Sequence, residues 1–402
     1  MGIALFGNLK IGDGFPVRLF AVLNLGPESF YKGSVRTTPK EIVEYTLKLI
    51  DEGADYIDLG AASTAPPEIY NTKFVPEEVE LGRIVEAVKA IREVTDFPIS
   101  IDTQRAKVAE AALSRGANAI NDVGGFKTDP NLARVVAEYD APAIIMATMK
   151  KPGDARTINE VRESLKGSLQ IANEVGIDQN KIVIDPGIGF GKPYECDLAL
   201  IRELIRLKTL QKPILIGVSR KSFIGRVLGL NNPEDRLIGS LAATAIAVFN
   251  GANVIRAHDV KQTREAIRVA EAISKSTKIV ESGAYKGVKV DFIKDEDDGG
   301  EVMKAIGVSE EGTQIMREKA VNHNILLYNI STPAALSLKQ HMLSVGGDVA
   351  TPKGVIDFQT EKCTVLLTGT SNQIRKIVPK LKMNSFGLPE IAEILLELIQ
   401  KS

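Results

Sequence analysis

The sequence predicts an α/β protein: a (β/α)8 barrel over residues 1–280, followed by a small α/β C-terminal domain over 281–402. Three observations lead there. Eight short apolar runs alternate with amphipathic helical segments, polar residues gather just after those runs, and the alternation stops near Thr277. The length of 402 residues suits a barrel of about 250 residues with one smaller domain.

The runs are Arg18–Leu23, Asp55–Leu59, Pro98–Asp102, Asn118–Asp122, Pro142–Met146, Lys181–Asp185, Pro213–Val218 and Asn253–Ala257. Each is short and mostly apolar, as strands buried on both faces of a parallel sheet read. Between them, Pro39–Glu52 and Pro76–Val94 repeat apolar residues at three- and four-residue spacing, the signature of a helix with one buried face. Gly53, Gly116, Gly176 and Gly251 precede successive strands, where helices end. An open doubly wound sheet is the competing architecture, and the eightfold count favours closure. Beyond the barrel, the charged and glycine-tipped run Lys294–Gly300 reads as a turn or linker. The remainder has strands at Asn324–Tyr328 and Cys363–Leu367, and helices at Ala334–Leu343, Asn372–Leu381 and Pro389–Gln400.

Composition removes several classes of function. Fifty basic residues face 51 acidic ones, which argues against a nucleic-acid or polybasic membrane binder. Two distant cysteines, Cys196 and Cys363, make neither a disulfide framework nor a four-ligand zinc site. No apolar stretch is long enough to span a membrane, and the first residues lack a secretory signal, so the expectation is a cytoplasmic protein.

In a barrel of this kind chemistry sits at the C-terminal ends of the strands. Read in order, those ends carry Asn24, Ser63-Thr64, Asp102-Thr103, Asn121-Asp122, Asp185, Ser219-Arg220-Lys221, and Arg256 with His258-Asp259; only the fifth, Met146, is apolar. Any one could be a helix cap, but seven of eight converging on one mouth is a stronger signal. Asp102, Asn121 and Asp185 supply acceptors and an amide suited to a flat heterocycle with an amidine-like edge. Asn24, Lys221, Arg256 and His258 supply the cations and donors that an anionic leaving group needs. Gly187–Lys192 mimics a phosphate loop, yet Pro193 stands where a Walker A loop needs Ser or Thr. Phe190 on that loop reads as a wall for a ring or as core, Lys150–Gly153 as a solvated loop, and Gly346–Asp348 as a turn. Cys196 has no histidine nearby to make it a nucleophile.

Together these stretches resemble the dihydropteroate synthases. Asn24–Phe30 is similar to their first-loop signature and Ile57–Thr64 to their second. Ser100–Thr103, Ile120–Val123, Asp185–Lys192, Ser219–Gly225, Arg236–Ala242 and Arg256–Val260 follow in order. The resemblance implies condensation of 7,8-dihydropterin-6-methyl diphosphate with an arylamine, p-aminobenzoate, releasing pyrophosphate. It assigns the pterin to Asp102, Asn121, Asp185 and Lys221, and the diphosphate to Asn24, Thr64, Arg256 and His258. The arylamine falls to Thr64, Phe190, Lys221 and Ser222, and Mg2+ to Asn24. Asn24, Asp102 and Lys221 are the implied catalytic residues, and a homodimer the implied assembly. The resemblance further implies a reaction in which the leaving group departs first, so that no protein nucleophile is needed.

Three loops depart from the pattern. Ala65-Pro66-Pro67 replace Arg-Pro-Gly in the second loop. Glu28 and Tyr31-Lys32 replace Asp and Ser-Asp in the first, and Ala147–Lys150 replace His-Met-Arg/Gln-Gly after the fifth strand. These changes admit two alternative expectations: a methanopterin-pathway synthase whose acceptor is a ribofuranosyl aminobenzene phosphate, with Lys32, Lys150 or Lys151 replacing the lost arginine, or a pterin-binding protein without catalysis.

Overall fold

The computed structural model describes residues 2–29, 31–63, 74–274, 279–282, 285–288, 290–357 and 359–400. The chain divides into two compact units, Met1–Lys289 and Val290–Ser402.

In the first unit a hairpin of β1 (Ile3–Phe6) and β2 (Leu9–Gly12) precedes eight parallel strands: β3 (Arg18–Asn24), β4 (Tyr56–Gly60), β5 (Ile99–Asp102), β6 (Ala119–Asp122), β7 (Ala143–Met146), β8 (Ile182–Asp185), β9 (Leu215–Ile216) and β10 (Val254–Ala257). Their order is β8-β7-β6-β5-β4-β3-β10-β9, and a parallel bridge between Ile184 and Ile214 closes the ring. The barrel helices are α1 (Pro39–Asp51), α2 (Glu77–Arg92), α3 (Ala106–Leu113), α4 (Pro130–Glu138), α5 (Ile158–Glu174), α6 (Tyr194–Arg202), α7 (Ser222–Leu228), α8 (Leu237–Phe249) and α9 (Val260–Ile273). The seventh run forms a strand of two residues, with Ile214 in the closing bridge, where six were expected. Its last two residues, Gly217 and Val218, lead directly into the turn that presents Ser219–Lys221.

Local chemistry explains these elements. Helix α1 buries Ile42, Thr46 and Leu49, one stripe at helical spacing. It opens with Pro39 behind a capping box in which the Thr38 side chain and Glu41 satisfy each other's backbone N–H groups. The residue following the cap of α1 is Gly53, at φ +97°, a left-handed exit that costs glycine nothing. The hairpin, which the sequence reading missed, packs under the strands. Ala4, Phe6 and Ile11 join Phe20, Tyr56, Ile144, Val183, Leu215 and Val254 in one apolar layer. Phe20 stacks on Tyr56 at 4.6 Å, and Phe6 meets both edge-on. The lower barrel is therefore filled, and only the upper end is polar.

After a backbone hairpin, β11 (Ile279–Ser282) and β12 (Tyr285–Val288), the second unit begins. It contains α10 (Glu296–Ala305), α11 (Glu310–Met316), β13 (Asn322–Ser331), α12 (Thr332–Leu343), β14 (Asp348–Ala350), α13 (Lys353–Ile356), β15 (Lys362–Thr370), α14 (Ser371–Lys382) and α15 (Leu388–Gln400). Its sheet is antiparallel in the order β13-β15-β14, with Leu327, Leu338, Leu367, Ile374 and Leu395 in the core. The run Lys294–Gly300 is not the expected linker: it opens helix α10. Asp295 accepts from the Asp298 N–H, and the Asp298 carboxylate accepts from the Lys294 N–H, each at 2.9 Å. The acids thus sit where a helix N-terminus favours negative charge. Gly299 and Gly300 are buried rather than looped, since a Cβ on Gly299 would stand 3.0 Å from the Ala320 Cβ.

Candidate active site

Strand alternation decides which side chains enter the mouth. Pairing sets Asp58 beside Ser100, Gly60 beside Asp102, Asp102 beside Asn121, and Met146 beside Asp185. The last inward position of β5, β6 and β8 is therefore polar, above a layer that includes Asp58 and Ser100.

At the centre lies Arg256. Its Nε donates to Asp58 Oδ2 at 2.5 Å and its Nη2 to Asp102 Oδ2 at 2.7 Å. Asp58 also accepts from the Ser100 hydroxyl at 2.6 Å and the Asn121 amide at 3.1 Å. Fully buried and ligated by three side chains, Asp58 organises the floor. The sequence reading quoted it inside a motif without giving it a role. A carboxylate at an inward position of an apolar strand is the signal that would have found it. Asp102 has a different balance: its Oδ1 is buried without a hydrogen-bond partner. Burial pushes its carboxyl up to about 7, while Arg256 pulls it back down.

Asp185 accepts from the Gly187 N–H at 2.7 Å, and burial raises its pKa against the pull of Lys221. The loop that follows turns through Gly187, Gly189 and Gly191, all at positive φ. A Cβ on Gly189 would overlap the Lys221 side chain, so this glycine is a packing requirement. Lys192 is buried and donates to the Pro186 and Gly187 carbonyls at 3.3 and 2.5 Å; Asp197 accepts from the Gly189 N–H at 3.0 Å. These two residues hold the loop that carries Phe190. Lys221 donates to the Ile188 carbonyl and lies 4.6 Å from the centre of the half-buried Phe190 ring. Burial pushes its ammonium down to about 8. Ser222 is the first residue of α7, with Lys221 as the cap.

After the first strand, Asn24 donates to the Ser34 hydroxyl at 2.7 Å. His258 faces Ser219 through Nδ1 at 2.9 Å, and Tyr31 meets its ring edge-on at 4.9 Å. Burial first, then Arg256, Arg220 and Lys221, hold the His258 pKa well below its ordinary value. Arg220 forms a bidentate pair with Asp259, at 2.8 and 2.7 Å, beneath the Tyr31 ring at 4.5 Å. Its backbone sits at φ +57°, held by Ser240, which accepts from its N–H, and by Arg236, which donates to its carbonyl. The Arg236–Ala242 stretch is thus a support for the seventh loop.

Asn24, Asp102, Asn121, Asp185, Phe190, Lys221, Arg256 and His258 stand at strand ends or in the loops that follow them, and Ser222 opens the helix after the seventh strand. Thr64 and the Ala65–Pro67 departure lie outside the described residues. Glu28 forms a bidentate pair with Arg83 of α2, at 3.0 and 3.1 Å, and Arg83 also donates to the Ala61 carbonyl at 2.9 Å. Lys32 donates to the Pro27 carbonyl, and Lys150 and Lys151 are exposed. The other two histidines, His323 and His341, belong to the second unit.

The family model of pterin binding enzymes matches residues 20–258. The dihydropteroate synthase of Clostridium beijerinckii is 39% identical over 269 residues, covering 66% of this chain and 98% of that protein. That of Bacillus subtilis is 35% identical, covering 63% and 88%. A Clostridium difficile dihydropteroate synthase structure with pteroic acid has TM-score 0.60 and 36% identity, covering 65% of this chain and 99% of that one. The Thermus thermophilus enzyme with 4-aminobenzoate has TM-score 0.58 and 35% identity, covering 67% and 99%. These relatives give no support to the methanopterin-pathway expectation.

Proposed function

Because the chain belongs to the pterin-binding enzyme family, as a relative of the dihydropteroate synthases, we propose how its barrel mouth divides the work of that reaction. The chain is a transferase of the dihydropteroate synthase type: it joins a dihydropterin methyl diphosphate to p-aminobenzoate. The methylene C–O bond breaks and its electron pair leaves with pyrophosphate. The arylamine nitrogen then forms the C–N bond and gives up a proton.

The pterin edge is taken by Asp102, Asn121 and Asp185, with Lys221 across the ring. The observation that carries this reading is Asp102 Oδ1, a buried carboxylate oxygen left without a donor beside a buried amide and a second carboxylate. A heterocycle presenting N–H groups would satisfy it. An ionised Asp102 also stabilises positive charge that develops on the pterin methylene as the leaving group departs. Arg256 and His258 supply charge and a donor to the diphosphate, with Thr64 at the boundary between the two ends. Phe190, Thr64, Lys221 and Ser222 receive the arylamine.

Asn24 fits a role toward Mg2+. Its amide nitrogen is committed to Ser34, which leaves its oxygen as the acceptor for a hard cation. Among the described residues no cluster of three acidic, His or Cys groups could hold a metal, so the ion would take most of its ligands from phosphate and water. When bound, it neutralises charge on the departing diphosphate.

The assembly expected from the sequence is a homodimer. The adjoining helices α8 and α9 support it, exposing Ile238, Ile246, Phe249, Val269 and Ile273. Among the described residues no helix is long and apolar enough to cross a membrane. Both cysteines are free thiols, which suits a cytoplasmic enzyme.

The test is pyrophosphate release by the purified protein with the pterin diphosphate, Mg2+ and p-aminobenzoate. Turnover is expected, and Asp185→Ala should weaken pterin binding by about tenfold or more, the scale of a lost charged hydrogen bond. Tight pterin binding with no pyrophosphate released would overturn the catalytic reading.

A further inference from the structure

His258 can donate to a diphosphate only if the ring nitrogen facing it bears the proton, and the Ser219 hydroxyl beside Nδ1 bears on which nitrogen that is. The Ser219 hydroxyl is buried, and its contacts among the described residues are two, both on His258: the ring Nδ1 at 2.9 Å and the backbone N–H at 3.3 Å. The backbone N–H can only donate, so it uses an oxygen lone pair. The hydroxyl hydrogen then has one acceptor within reach, Nδ1, and a buried hydroxyl hydrogen without an acceptor is costly. With Nδ1 accepting, the ring proton must sit on Nε2. Tyr31 packed edge-on against the ring limits its rotation, so a ring flip cannot easily exchange the two nitrogens.

We propose that Ser219 is a positioning residue that fixes His258 as the Nε2–H tautomer, so that the imidazole meets the diphosphate as a hydrogen-bond donor rather than as an acceptor. This rests on the reading of His258 as a diphosphate ligand. Three cations lie close enough to act on the ring, Arg256, Arg220 and Lys221, and they oppose a second proton there. A tautomer presenting a bare nitrogen would repel phosphate oxygen; the same ring with Nε2–H donates to it. The hydroxyl thus sets the sign of the interaction without touching the substrate.

The experiment uses the full-length chain labelled with 15N. With only three histidines, their ring signals are separable, and His258→Gln assigns the one at issue. Long-range proton–nitrogen spectra of the unmodified protein are expected to show His258 Nδ1 unprotonated and Nε2 protonated. A doubly protonated ring near neutral pH, which still donates from Nε2, would overturn the proposal while leaving the diphosphate reading intact; the opposite tautomer would overturn both. Ser219→Ala should shift the ring toward a mixture of tautomers and weaken inhibition by inorganic pyrophosphate by about tenfold, the scale of a hydrogen bond to a charged group. Ser219→Thr, which keeps the hydroxyl, should restore both. An alanine variant with wild-type tautomer and pyrophosphate affinity would also overturn it. If the unmodified protein shows the stated tautomer but added pyrophosphate leaves the His258 signals unmoved, the diphosphate reading itself fails.

Discussion

At the scale of single residues, the proposed roles of Asp102 and Lys221 make two titrations decisive for the mouth. Asp102 must be ionised to accept pterin N–H groups, and burial places its pKa at about 7. Lys221 must be protonated to act as a cation, and burial places its pKa at about 8. The expected kcat/KM for the pterin diphosphate therefore rises with pH through about 7 and falls above about 8, a narrow bell measurable from initial rates. Stability responds differently. The raised Asp102 pKa contributes stability that is present below its unfolded value, about 4, and lost as pH rises through 7. The depressed Lys221 pKa contributes stability present above about 10.4 and lost as pH falls through 8. Asp58→Asn should destabilise the barrel by about 3 kcal/mol in denaturant unfolding, because Arg256 loses one of its two buried carboxylate partners. The polar strand ends were legible because each interrupts an apolar run where loops begin. Asp58 was not given a role, since it sits within a run, and only the in–out alternation shows which way it points.

At the scale of elements, the glycine-rich loop after β8 is the most constrained. Gly189→Ala adds a methyl group where Lys221 already lies, at a φ of +75° that alanine resists. The expected result is a rise of about tenfold in KM for both substrates and a stability loss of about 1–3 kcal/mol by thermal melting. Strands buried on both faces announce themselves as apolar runs, so the eight were readable. The hairpin β1–β2 was not, because four-residue strands around a tight turn carry too little periodicity. Helix α10 was misread for a physical reason as well. Aspartates and paired glycines favour turns in isolation, whereas here the first serve as caps and the second as close-packing surface.

For the whole molecule, the Clostridium beijerinckii relative is covered almost end to end by two thirds of this chain, so the second unit has no counterpart within that match. A chain ending at Lys289 should therefore keep pyrophosphate release within about threefold of the full-length protein. Loss of activity in a folded truncation would mean that the second unit completes the reaction. Ile238→Glu, on the exposed face of α8, should convert a dimer to monomers in sedimentation experiments; an unchanged mass would exclude this face as the interface. The Arg83 guanidinium has a consequence of its own. It grips Glu28 in the first loop and the Ala61 carbonyl at the root of the second, so neither segment can swing away without stripping the same half-buried cation of a partner. One side chain thus ties the first loop to the strand end from which the second departs, so Arg83→Ala should release both attachments together.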